Sequence, residues 1–184
     1  MSILDIRVLG DPALRKETVP VEKVSDDVRS LINDMFDTMY AAEGIGLAAP
    51  QVGRTERITV MDVEGARYAL INPEIMSRQG SVRGEEGCLS IPDVFGDVER
   101  AHAVTVTALN ERGEEIEVAG TELLARCLQH EIDHLHGKLF LDYLSVLKRR
   151  AALAKWEGIK SQYPGYIRRV ILEKHTPHHS EGEL

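Results

Sequence analysis

Apolar positions recur along this chain with two different periods, and the change of period divides it into parts. Val28, Leu31, Ile32, Met35, Phe36 and Met39 follow helical spacing. Ser25 stands where a side chain caps the first turn, followed by Asp26 and Asp27, whose charge suits a helix N-terminus. This predicts an amphipathic helix that stops at Gly44. Beyond Gly53 the segments RITVMDV (57–63), YALINPEI (68–75), HAVTVTALN (102–110) and EEIEVAG (114–120) are rich in β-branched residues and bounded by Gly, Asn and Pro. No helical stretch separates them, so the predicted strands pair mostly antiparallel. Helical spacing returns from Thr121 to His136, with Leu124, Leu128, Ile132 and Leu135 on one face and Gly137 as the stop. A last helix is predicted at about 145–157, and YPGYIRRVIL adds an extended or helical segment. The predicted fold class is α+β: mostly antiparallel β-sheets packed around a central helix, with an N-terminal helix and a C-terminal helix.

Length and composition narrow this picture. A chain of 184 residues supports one well-filled core rather than two ordinary domains. We expect one domain over 1–165 and an extension over 166–184, partly disordered and ending in the polar HTPHHSEGEL. His175, His178 and His179 of that tail are read as part of a frayed end rather than a metal site. With 43% hydrophobic and 28% charged residues the chain reads as soluble, and no apolar run approaches a membrane span. MSILDIRVLGDP has neither a basic leader nor a long apolar run, so no secretory signal is expected. Two cysteines make no disulfide framework, and a reducing cytoplasm is the expected location.

Charge is unevenly spread. From Ser145 to His175 eight Lys or Arg face Glu157 and Glu173, a local +6, whereas residues 1–144 carry 14 basic and 26 acidic groups, or −12. A basic end on an acidic body fits either an anionic partner or a solvated helix face.

The strongest chemical signal is QHEIDHLHG, residues Gln129 to Gly137. On a helix, His130 and His134 stack one turn apart on one face, so both imidazoles can reach one metal ion. Glu131 is rotated by roughly 100° about the axis, poorly placed to ligate but close enough to serve a water as general base. Such a site needs a third protein ligand. Cys127 lies on nearly the same face as His130, but seven residues from His134, about 10.5 Å along the axis, so three ligands strung along one helix do not converge. The protease pattern with a third His further on fails, because Phe140 stands at that position. Two candidates remain: Glu157 downstream, and Cys88 in EEGCLSIPD, a stretch with the look of a strand edge.

Three stretches together resemble the peptide deformylase family. GIGLAAPQ (Gly44 to Gln51), EGCLS (Glu86 to Ser90) and QHEIDHLHG are similar to that family's three signature motifs, in order and at similar separations, over about half the chain. The opening VLGDPALR is similar to the family's usual start. The resemblance implies an enzyme that hydrolyses the N-formyl group from newly made formyl-methionyl peptides and releases formate. It implies one divalent metal ion per chain held by Cys88, His130 and His134, Fe2+ first, with Zn2+, Ni2+ or Co2+ as alternatives that the donor set suits equally. Glu131 is implied as general base and then acid toward a water activated at the metal, with Gln51 and the Leu89 N–H holding the formyl oxygen. Gly44, Ile45, Gly46 and Gly87 are expected along the peptide, with Ile45, Leu123 and Cys127 lining the methionine pocket. Gly44 and Gly46 are expected to let the chain approach an extended substrate closely. Glu86 and Arg100 match positions that pair near the site, and Phe95 stands where some relatives carry Arg. Nascent peptides are the implied partners, with the ribosome as a candidate for the basic C-terminal segment. No membrane is implied, and a monomer is expected, with a dimer as the alternative.

Overall fold

The computed structural model describes residues 2–172. In chain order the elements are β1 (Ile6–Arg7), α1 (Asp26–Ala41), β2 (Gly46–Ala48), β3 (Ile58–Val63), β4 (Ala66–Gln79), β5 (Val82–Cys88), β6 (Ile91–Arg100), β7 (Ala103–Leu109), β8 (Glu115–Thr121), α2 (Glu122–Leu135), α3 (Val146–Ile159) and β9 (Ile167–Arg168). A five-stranded sheet has the order β2-β3-β4-β7-β8, with every pairing antiparallel. β5 and β6 form a separate hairpin, and β1 pairs with β9.

α1 starts as its sequence predicts, with Ser25 Oγ accepting the Val28 N–H at 3.3 Å. It ends at Ala41, earlier than the expected Gly44. The left-handed residue that stops it is Glu43 at φ 58°, and the Gly44 N–H turns back to the Met39 carbonyl at 2.9 Å. Its apolar face, Leu31, Ile32, Met35, Phe36 and Met39, packs with Leu47, Ile58 and Val60.

α2 lies between the large sheet and the β5–β6 hairpin. Ala125, Leu128 and Ile132 enter the core with Met61, Leu70, Val104, Val106 and Val118. Leu128 and Ile132 each contribute about 1.5–3 kcal/mol relative to an exposed position. The helix stops where Gly137 was predicted to stop it: Gly137 adopts φ +70°, and a Cβ there would lie 2.6 Å from the Arg15 carbonyl oxygen.

A third cluster joins β6 to the C-terminal helix through Val94, Val98, Phe140, Leu144, Ala152 and Trp156. α3 is therefore part of the core, and Ser145 caps it through the Lys148 N–H. It runs two residues beyond Glu157. The YPGYIRRVIL segment forms a tight turn at Pro164–Tyr166 and then β9, so ordered pairing continues past the residue-165 boundary expected from sequence. The tail histidines at 175, 178 and 179 fall outside the described residues. Among the described residues no helix is long and apolar enough to cross a membrane.

Candidate active site

Three parts of the chain meet at one point. α2 presents His130 and His134 toward the hairpin, β5 ends in Cys88, and the segment after α1 brings Gly44 to Gln51 alongside. Cys88 Sγ lies 3.4 Å from His134 Nε2, and the two His Nε2 atoms are 3.2 Å apart. The three ligand atoms all lie within 4.8 Å of one another. Tetrahedral bonds of about 2.1 Å to nitrogen and 2.3 Å to sulfur put nitrogens about 3.4 Å apart and sulfur about 3.6 Å from each. The Cys88–His134 and His130–His134 spacings thus stand within a few tenths of an ångström of what one metal ion needs.

Of the two candidates for third ligand, Cys88 is the one brought beside the two histidines. Glu157 sits exposed on α3, paired with Lys160 at 2.6 Å, and borders a separate cleft beside Trp156. Cys127 is buried with its Sγ 3.9 Å from the Ile45 carbonyl, outside the cluster, as the helix-spacing argument required. Phe140 stacks on His130 with ring centroids 6.5 Å apart, so it packs against that imidazole.

Glu131 is buried, and its Oε2 has no hydrogen-bond partner among the described residues; the same is true of His134 Nδ1. Gly46 explains how the carboxylate fits. A Cβ on Gly46 would overlap Glu131 Oε1, and one on Gly44 would lie 2.6 Å from Leu89 Cδ1. The two glycines therefore make room for the chain's own Glu131 and Leu89.

Gln51 is fixed by its own turn. Its Oε1 accepts the Ala48 N–H at 2.8 Å, which turns Nε2 toward Ser90 Oγ at 3.1 Å and Cys88 Sγ at 3.6 Å. Beside it opens a cleft of about 480 Å3 whose wall includes Gly44, Ile45, Gly46, Gly87 and Leu89, with Leu123 and Cys127 from α2. Every residue singled out for substrate thus borders one cavity, together with His130 and Glu131. Phe95 also borders it, more than half exposed and against Gly87.

The motifs and geometry have a match among known proteins. Residues 3–150 fit the family model for polypeptide deformylase. A peptide deformylase from Alkalilimnicola ehrlichii is 54% identical over 88% of this chain and 93% of its own length. One from Pseudoalteromonas translucida is 50% identical over 85% of this chain and 96% of its own. The chain belongs to the polypeptide deformylase family. The crystal structure of a peptide deformylase from Legionella pneumophila superimposes with a TM-score of 0.85 at 49% identity, covering 88% of this chain and 97% of that one. A peptide deformylase from Synechococcus elongatus, solved in complex with actinonin, gives a TM-score of 0.81 at 44% identity over 84% and 88% of the two chains. The chain is accordingly a hydrolase that removes the N-formyl group from nascent peptides, and its family is one of metalloenzymes.

Behind His130 lies a buried charge network. Arg100 donates to both oxygens of Glu86 at 2.9 Å, as the pairing expected from sequence requires, and Arg126 adds a bond to Glu86 Oε2 at 2.6 Å. Glu86 Oε1 in turn lies 2.9 Å from His130 Nδ1. With a carboxylate as acceptor, Nδ1 carries the proton and Nε2 keeps its lone pair for the ligand position. Burial alone would raise the Glu86 pKa, but hydrogen bonds from Arg100 and His130 outweigh it and hold the carboxyl well below the usual range. Burial likewise opposes the charge of His130, yet its contacts with Cys88 and Glu86 push its pKa up, whereas burial and the neighbouring His130 push His134 down. The pocket thus gathers negative charge around closely spaced nitrogens, the environment a cation satisfies. Burial raises Glu131 to about 7, against the pull of His130.

The sequence reading missed several partners. Arg126 lies one turn before His130 on the same helix, a spacing that placed it beside the site. Asp133, bonded to Arg100 and to Tyr143 Oη, follows the same logic. Ser90 ends the EGCLS stretch and holds Gln51. Arg168 and Tyr163 line the cleft from the C-terminal segment, where no local pattern announced them.

Proposed function

We propose that Cys88, His130 and His134 hold one divalent ion, Fe2+ in the first place, and that Glu131 is the general base and acid of deformylation. The observation that carries this reading is the convergence of one sulfur and two Nε2 atoms beside a buried carboxylate oxygen with no protein partner. When bound, the ion supplies Lewis acidity, which polarises the formyl carbonyl and makes water a stronger acid.

The chain's own residues do the remaining work. The formyl-methionyl peptide lies in the cleft with its methionine side chain against Ile45, Leu123 and Cys127. β2 is the end strand of the sheet, and Gly44, Ile45 and Gly46 border the cleft, with Gly87 of β5 on its wall. This supports docking of the extended peptide as an added strand. Gln51 Nε2 and the Leu89 N–H donate to the formyl oxygen as negative charge develops there, each worth roughly 3 kcal/mol of barrier. Glu131 Oε2 takes a proton from the attacking water and returns it to the departing amine. Glu86, Arg100 and Arg126 fix the orientation of His130.

Two substitutions separate this reading from one with Glu157 as third ligand. Cys88→Ala abolishes stoichiometric metal and formate release, and Glu157→Ala keeps both; the reverse pattern contradicts the assignment. We further propose action in the cytoplasm as a monomer, as one domain that includes β9, with α3 docking the enzyme on the ribosome. Arg150 and Lys155 are exposed on α3 beside Val146 and Leu147, a surface suited to anionic rRNA. Because α3 is part of the core, charge reversal at Arg150 and Lys155 tests this better than deletion. Unchanged ribosome co-sedimentation of that variant counts against it.

A further inference from the structure

The turn Leu89–Ser90 joins β5 to β6 and directly follows Cys88. It is held from outside its own hairpin by three hydrogen bonds. The Leu9 N–H donates to the Ser90 carbonyl at 2.8 Å, Gln51 Nε2 donates to Ser90 Oγ at 3.1 Å, and Arg168 Nη1 donates to the Leu89 carbonyl at 3.1 Å. The first and third come from one ribbon. β1 and β9 pair through Ile6 with Arg168 and Arg7 with Ile167, and the Val8 N–H donates to the Tyr166 carbonyl at 3.0 Å. The chain beyond α3 therefore crosses back to the active-site turn. It does so from outside residues 3–150, the part that matches the family model.

Arg168 is half-buried and borders the cleft, and among the described residues its guanidinium makes no ion pair. Its one side-chain hydrogen bond among the described residues goes to a backbone carbonyl. Such a charge-assisted bond is stronger than a neutral one and fixes direction as well as distance. Only the two soft dihedrals of Leu89 separate its carbonyl from its own N–H. Holding the carbonyl thus restricts where the N–H points.

We propose that Arg168 is a positioning residue for deformylation: by holding the Leu89 carbonyl, it keeps the Leu89 N–H aimed at the formyl oxygen. The role rests on the part assigned above to Leu89. Arg168 acts on the transition state, in which the oxygen carries charge, more than on the bound substrate, so its loss lowers kcat and spares KM.

The test is steady-state deformylation of formyl-Met-Ala-Ser by Arg168→Ala, Arg168→Lys and Arg169→Ala, with thermal unfolding of each. In Arg168→Ala we expect kcat to fall about tenfold with KM changed less than about twofold, a fraction of the roughly 10²–10³ lost when an oxyanion donor is removed outright. Arg168→Lys, which keeps a cationic donor, and guanidinium chloride added to Arg168→Ala each restore part of the loss. Exposed Arg169→Ala behaves as the unaltered chain. A rise in KM at unchanged kcat overturns the positioning role in favour of direct substrate contact. So does an unchanged kcat, or a loss that follows the unfolded fraction and is not restored by guanidinium. Failure of the unaltered chain to release formate overturns the underlying reading, a result distinct from any difference among the variants.

Discussion

Glu86→Ala removes the acceptor shared by four donors: Arg100 Nε and Nη2, Arg126 Nη1 and His130 Nδ1. Both Glu86 and Arg100 are buried, so the variant leaves a guanidinium in the core without its main counter-charge. Removing one partner of a buried pair costs about 3–5 kcal/mol. Arg100 keeps Asp133 at 2.5 Å, and Arg126 keeps carbonyl acceptors at Val82, Gly84 and Val98. The lower end, about 3 kcal/mol, is therefore expected, a substantial part of the 5–15 kcal/mol that usually separates folded from unfolded chains. Urea unfolding of metal-free protein at neutral pH measures it, with the denaturant slope unchanged. Because His130 loses the group that orients it, metal affinity falls about 10–100-fold. The pH dependence has a definite sign. The folded Glu86 pKa lies below its unfolded value of about 4.3, so its contribution is complete above that pH and lost as pH falls through the folded value. The stability gap between the two proteins is thus constant around neutrality and narrows only in acid below about pH 4. A loss under about 1 kcal/mol with unchanged metal affinity, or a gap that closes as pH rises, refutes the reasoning.

Gly46→Ala places a methyl on Glu131 Oε1 and should lower kcat by about 100-fold or more while metal content is kept, since metal ligands are untouched. Wild-type kcat in that variant would show that Gly46 does not make room for the base. Cys127→Phe narrows the methionine pocket, so KM for formyl-Met-Ala rises more than KM for formyl-Gly-Ala; equal effects on the two would remove Cys127 from that pocket. Acetyl-Met-Ala carries one more methyl at the reacting carbon and should be cleaved at least about tenfold more slowly than its formyl counterpart, and equal rates would exclude a size-selective site.

The parts of this fold that were legible in sequence are those whose burial leaves a period. α1, α2 and α3 each show apolar spacing or a Ser cap, and β3, β4, β7 and β8 carry the β-branched texture of a half-buried sheet. β5 and β6 were glimpsed only as a strand edge at EEGCLSIPD, because the buried face of β6 holds Pro92, Val94, Gly96, Val98 and Arg100 in alternation, and a buried Arg within a Pro- and Gly-containing run reads as surface. β1 and β9 are two residues each, too short for any period, so Arg168 could not be placed at the cleft. At the site, helix spacing excluded Cys127 and brought His130 and His134 together, but the choice between Cys88 and Glu157 depended on tertiary contacts. The glycines at 44 and 46 were recognised as close-approach positions, and the structure adds that Leu89 and Glu131 fill the space a side chain there would take.

In the proposed mechanism Glu131 performs proton transfer at a metal site built from Cys88, His130 and His134. Formate release from formyl-Met-Ala by wild type and by Glu131→Gln, with bound metal measured in the same samples, tests it most directly. Steady release by wild type and a fall of about 100-fold or more in Glu131→Gln are expected, with one ion per chain in both. Undiminished release by Glu131→Gln, or loss of activity only in step with loss of the ion, would contradict it.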